Sequence, residues 1–151
     1  MSDTPAALAQ IHQQSFPTAH AWSEQSFAEL LSQPGVQLYQ QDKQAFLLVR
    51  SAADEMEVLT IAVLPACRRQ GLAKGLMQQA LDAAEAANTQ SCFLEVEAGN
   101  IPAIRLYKGL GFEVVATREG YYKTEHDGRR DGYLMRYRFP LRQGFGGQVA
   151  T

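Results

Sequence analysis

The chain has 151 residues, 46% hydrophobic and 20% charged, and 14 Lys and Arg against 16 Asp and Glu give a formal net charge of -2. That size suits one domain with its own core, and the near-neutral balance argues against a general nucleic-acid binder, which carries a basic excess. No apolar run reaches membrane-spanning length. The start "MSDTPAALAQ" lacks the basic and apolar regions of a secretory leader. A cytoplasmic protein is therefore expected, with no nucleic-acid or membrane partner, a monomer or weak dimer. Cys67 and Cys92 match no metal-site spacing and no disulfide framework, so no metal is expected.

In chain order, Leu8, Ile11 and Ser15 in "PAALAQIHQQSF" recur near helical spacing, and His12 is placed on that helix's flank. A second helix has clearer start and stop signals. Ser23 is its N-cap, Trp22 and Phe27 flank the cap as a hydrophobic staple, and Pro34-Gly35 ends it. "VQLYQ" and "AFLLVR" read as strands joined around Asp42-Lys43. "MEVLTIAV" alternates and then becomes wholly apolar, which predicts a buried central strand ending at Pro65. In "GLAKGLMQQALDAAEAAN", Leu72, Leu76, Ala80, Leu81 and Ala84 share one helical face. "CFLEV" is a short strand. "PAIRLYKGLGF" is a helix with Ala103, Leu106, Tyr107 and Leu110 on one side and Gly111 as its stop. "FEVVATR" and "GYLMRYRF" are strands separated by the polar "EGYYKTEHDGRR". Alternating strands and helices after Met56 predict an α/β domain over 1–142. The Gly-rich "RQGFGGQVAT" predicts a flexible tail over 143–151.

"CRRQGLAKGLM" places glycine and positive charge at a helix entry with no Ser or Asp cap. Free N–H groups of a first turn and the helix dipole attract an anion. Gly71 lets the backbone approach it, and Arg68, Arg69 and Lys74 add charge. The stretch is not a P-loop, because Gly75 is not followed by Lys-Ser or Lys-Thr, and it is not a dinucleotide fingerprint, because Ala73 stands at the second glycine. What remains is R-x-x-G-x-A over residues 68–73. On these residues alone, a solvated basic helix start is an equal reading.

Downstream, "LEVEAGN" and "LYKGLGF" follow in order, then Tyr121-Tyr122 and Met135. With "TIAVLP" and "RRQGLA", this series resembles the GNAT N-acetyltransferases, and within them the RimI-type ribosomal-protein-alanine N-acetyltransferases. The resemblance spans roughly 58–135. It implies the GNAT fold, a central mixed, mostly antiparallel sheet flanked by helices. It also implies acetyl-CoA as cosubstrate and a protein or peptide N-terminus, that of a ribosomal protein, as acceptor. By resemblance, Ile61, Ala62 and Val63 lie along the pantetheine arm. Arg68, Arg69, Gln70, Gly71, Leu72, Ala73 and Lys74 hold the pyrophosphate, and Asn100 contacts the cofactor. Glu95 is the general base and Tyr107 the general acid, while Tyr121 and Tyr122 shape the peptide channel.

The residues alone leave other readings open. Glu95 and Glu97 share a strand face by period two and suit a solvated edge. Tyr107 suits a helix core, and Asn100 suits an N-cap before Pro102. A GNAT acting on a small amine or a protein lysine, or a non-catalytic CoA-binding module, would share most of these motifs. The chain departs from the family pattern in beginning almost at the first helix, which predicts a short or missing first edge strand. It also carries Glu97, Gly99 and Arg130-Asp131-Gly132 where RimI-type chains often differ, mostly on the acceptor side.

Overall fold

Helix α1 (Thr4–Ser15) turns Leu8, Ile11 and His12 inward, an i, i+3, i+4 triplet. The computed structural model describes residues 4–16, 21–123 and 129–140, with side chains throughout except at 121–130. The anticipated tail and the middle of "EGYYKTEHDGRR" thus lie outside the described residues.

Helix α2 (Glu24–Leu31) starts as its sequence indicates: the Ser26 N–H donates to the Ser23 hydroxyl at 3.1 Å. The Trp22 and Phe27 ring centroids are 5.5 Å apart. Six strands follow: β1 (Val36–Gln41), β2 (Ala45–Ala52), β3 (Glu55–Val63), β4 (Ser91–Glu97), β5 (Glu113–Lys123) and β6 (Arg129–Arg138). Helices α3 (Leu72–Ala86) and α4 (Ile101–Leu110) cross between them. Gly111 closes α4 at φ 113, a left-handed turn in which its N–H reaches the Lys108 carbonyl.

The sheet order is β1-β2-β3-β4-β6-β5. The β3–β4 pair is parallel and the other pairs are antiparallel, the mixed, mostly antiparallel sheet expected. Among the described residues no strand precedes α1, so β1 stands at one edge. The last two strands run further than the polar composition suggested, because β5 continues through Lys123 and β6 begins at Arg129.

Two cores sandwich the sheet. Ala45, Leu47 and Val49 of β2 join α3, α4, β4 and β6 on one face. Phe46 and Leu48 join Leu8, Ile11 and Phe27 on the other. Strand β2, buried on both faces over Ala45–Val49, is the most buried strand, while β3 takes the central place its apolar run suggested but is buried only in part. The upper half of β3 is more open because β4 diverges from it.

His12 is buried (2% exposed), not on an exposed flank. Its Nδ1 accepts the Trp22 N–H at 3.1 Å, which places the ring proton on Nε2, 3.1 Å from the Thr60 hydroxyl. Phe16 and Trp22 stack on the ring at 4.2 and 5.1 Å. Burial pushes its pKa down from 6.5 to about 4. Between those values the unfolded chain binds more protons than the native one, so stability falls as pH drops. Roughly 1.3 kcal/mol should disappear between about pH 7.5 and 5.5, above the range where carboxylates titrate. Urea midpoints measured across that interval check this, and a flat profile would refute it.

Candidate active site

Strands β3 and β4 pair over Glu55–Glu57 and Ser91–Phe93, and beyond these residues their register ends. The β3 backbone shows what faces the opening. Leu64 N–H donates to the Gln44 carbonyl at 2.8 Å, and the register runs Ala45↔Val63, Phe46↔Ala62, Leu47↔Ile61. Antiparallel alternation then assigns the Ala62 N–H and C=O to β2 and turns those of Ile61 and Val63 towards the opening. The Val63 carbonyl fits this direction, since it accepts from Ser15 and Arg68 rather than from β2. A register shift between Leu48 and Val49 skips Leu59, a bulge that bends β3 just before this segment. Of the three β3 residues, Ile61 and Val63 are thus presented, while Ala62 is 3% exposed in the α1–α2 core.

After β3, a 3-10 turn (Pro65–Cys67) leads into the basic loop. Arg69 has φ 65 and Gly71 has φ 79, both left-handed. At Gly71 this conformation itself favours glycine. A Cβ there would meet no atom within 4 Å, so the space in front of the helix is open. Gly71 is the N-cap of α3 and supplies no side-chain hydrogen bond. The first turn holds no acid and contains Lys74. The contrast is with α2, capped by Ser23 and followed by Glu24, and with α4, where Asn100 Oδ1 accepts the Ala103 N–H at 3.2 Å. The α3 entry thus offers the Leu72, Ala73 and Lys74 N–H groups, one helix dipole end and nearby cations, a combination that fits a phosphate. Arg69, Gln70 and Lys74 are exposed around it. Arg68 is not turned to it: its guanidinium bonds to the Val63 and Ser15 carbonyls.

Glu95 and Tyr107 approach the sheet from opposite faces. Alternation along β4 sends Cys92, Leu94 and Val96 into the α3–α4 core and Phe93, Glu95 and Glu97 to the face carrying α1 and α2. Among the described residues, the core beneath those two helices takes its strand members from β1, β2 and β3 and none from β4, β6 or β5. Glu95 Oε2 lies 3.2 Å from Arg118 Nε. Arg118 sits opposite Gly132 of β6, which pairs with Glu97 on its other side, so the Arg118 side chain crosses that strand diagonally to Glu95. Sequence reading missed Arg118, because nothing local marks a residue that acts across an intervening strand. Tyr107 is 6% exposed on α4, its ring 6.0 Å from that of Phe112. Asn100 is shown to be an N-cap, which leaves its Nδ2 for another partner. Tyr121 and Tyr122 lie in β5, but their side chains are outside those described. Burial pushes the Cys92 thiol up to about 12, so it stays protonated.

A strand opening beside an uncapped, basic helix entry, on this sheet order, defines a class. The acetyltransferase (GNAT) family model matches residues 6–112, and the chain belongs to that family of acetyl-CoA-dependent enzymes. The ribosomal protein bS18-alanine N-acetyltransferase of Escherichia coli strain K12 is 37% identical over 137 residues, 89% of this chain and 90% of its own length. The crystal structure of the ribosomal-protein-S18-alanine N-acetyltransferase from Escherichia coli superposes with a TM-score of 0.84. That superposition covers 94% of this chain and 92% of that one, at 33% identity. The N-alpha-acetyltransferase of Sulfurisphaera tokodaii is 44% identical over 79 residues, 52% of this chain and 45% of that one. Among the described residues no helix is long and apolar enough to cross a membrane.

Proposed function

We propose that this chain acetylates the α-amino group of a protein N-terminus, that of a ribosomal protein beginning with Ala. The observation that carries the proposal is the 37% identity, over nine-tenths of both chains, to an enzyme named for that activity. Two elements of the site support it: the β3–β4 opening and the uncapped α3 entry beside it.

Acetyl-CoA supplies an acetyl thioester, which an uncharged amine attacks. Leu72, Ala73 and Lys74 N–H groups, with Arg69, Gln70 and the Lys74 cation, hold its pyrophosphate, and Asn100 Nδ2 donates nearby. Ile61 N–H and C=O pair with its amide arm. Val63 N–H donates to the carbonyl oxygen as that oxygen gains charge. Glu95 takes the amine's proton, directly or through one water, while Arg118 fixes the position of its carboxylate. Tyr107, carried on α4, donates its hydroxyl proton towards the departing sulfur.

The base requirement favours an N-terminus. At pH 7 an α-amino group near 8 is already about one-tenth neutral, a cost of about 1.4 kcal/mol, whereas a lysine amine near 10.4 costs nearly 5. One carboxylate suffices for the first. The test follows thiol release from acetyl-CoA with Ala-initiated peptides, lysine peptides and polyamines. Turnover on the Ala-initiated peptide alone is expected. Turnover confined to polyamines or lysine peptides would overturn the acceptor assignment, and CoA binding without turnover would point to a non-catalytic module.

A further inference from the structure

Arg68 heads the R-x-x-G-x-A pattern, yet its guanidinium points back into the chain. Nε donates to the Val63 carbonyl at 3.2 Å and Nη2 to the Ser15 carbonyl at 3.1 Å. Ser15 is the last residue of α1, and its hydroxyl lies 2.7 Å from the Ile11 carbonyl and 3.1 Å from the Val63 carbonyl. The last carbonyls of a helix lack intrahelical partners and form the negative end of its dipole. A planar, permanently charged fork suits them. One side chain therefore joins the end of α1, the end of β3 and the start of the anion loop. Between this clamp and the α3 N–H groups the backbone makes its two left-handed turns, at Arg69 and Gly71. On the other side of the clamp, α1 and α2 pack on the sheet face to which β4 turns Glu95.

We propose that Arg68 is a positioning residue, not a phosphate ligand, and that it couples cofactor binding to acceptor binding by tying the pyrophosphate loop to the C-terminal end of α1. The coupling half rests on the function proposed above. Occupation of the loop fixes Arg68, Arg68 fixes the last turn of α1, and the acceptor meets a preset edge. By linkage the effect is reciprocal: bound peptide tightens CoA by the same factor as CoA tightens peptide.

The experiment compares the parent with Arg68→Ala, Arg68→Lys, Arg68→Gln and Lys74→Ala. CoA affinity is measured by calorimetry at low and high salt, and peptide KM and kcat by thiol release. Lys74→Ala should flatten the salt dependence of CoA affinity, because it removes a charge facing phosphate. Arg68→Ala should keep the parent's salt dependence. It should raise peptide KM by about tenfold, the scale of lost hydrogen bonds from a charged donor, with the larger change on KM and not on kcat. Peptide should bind CoA-loaded parent about fivefold or more tighter than free parent, and this gain should vanish in Arg68→Ala. Arg68→Lys, able to reach one carbonyl at a time, should fall between. Salt dependence flattened in Arg68→Ala as in Lys74→Ala, or an unchanged peptide KM, would overturn the proposal. If Arg68→Ala does not fold, Arg68→Lys and Arg68→Gln decide it: a raised peptide KM in both supports the tie, and an unchanged KM in both refutes it. A parent that binds CoA but acetylates no peptide would sink the acceptor assignment, and the salt comparison would still decide whether Arg68 contacts phosphate.

Discussion

Glu95→Gln should lower kcat at pH 7 by about tenfold to a hundredfold on an Ala-initiated peptide. The lower figure is the cost of waiting for the neutral amine, about 1.4 kcal/mol, and the upper adds proton transfer in the transition state. Gln is chosen because its carbonyl oxygen can still accept from Arg118, now 3.2 Å from Glu95, so the geometry survives while the basic carboxylate is lost. As pH rises past 8 the amine arrives uncharged and the task of Glu95 shrinks, so the gap between variant and parent should narrow by about tenfold by pH 9. A pH–rate profile of both proteins reads this directly. Equal activity at pH 7 would remove Glu95 from the role of base.

Gly71→Glu should weaken acetyl-CoA binding by at least about tenfold, the equivalent of 1.4 kcal/mol. The residue stands at φ 79 as the N-cap of α3, with no atom within 4 Å of where a Cβ would be. The added side chain thus starts in open space at the helix N-terminus. There it stands in for an anion and repels one. Gly71→Ala separates the two effects of the change. It imposes the same left-handed strain, about 1 kcal/mol, without charge. Calorimetric affinities and melting temperatures of both variants distinguish lost binding from lost stability. Unchanged affinity in Gly71→Glu would mean that the pyrophosphate lies elsewhere.

The elements legible in advance were those whose signals are local. Trp22, Ser23 and Phe27 sit within six residues and announce α2, and Gly111 announces the end of α4 through a backbone angle that few other residues adopt. The six strands follow from short apolar runs between turns. What stayed hidden depends on partners far along the chain. His12 looks like a flanking polar residue until Thr60, 48 positions away, satisfies its Nε2. Arg68 looks like part of the cradle until Ser15 and Val63 claim its donors. Arg118 meets Glu95 only across β6, a neighbour that no local stretch announces. The fold of the cofactor half was readable because glycine, charge and helix entry are consecutive in sequence. On the functional reading above, the acceptor half draws on α1, β4 and β5, and no single stretch carries it.

The brevity of the β3–β4 pairing bears on how the molecule holds together. Three residues on each strand join two antiparallel blocks, β1-β2-β3 and β4-β6-β5, with the α3–α4 core spanning the joint. Backbone pairing elsewhere in the sheet runs over whole strands, so this joint is its weakest seam. On the functional reading above, the extended amide arm of acetyl-CoA takes the place that a seventh strand would fill and knits the blocks together. The cosubstrate is then also a removable piece of the sheet: its arrival stiffens the protein across the seam, and release of CoA loosens it again at every turnover.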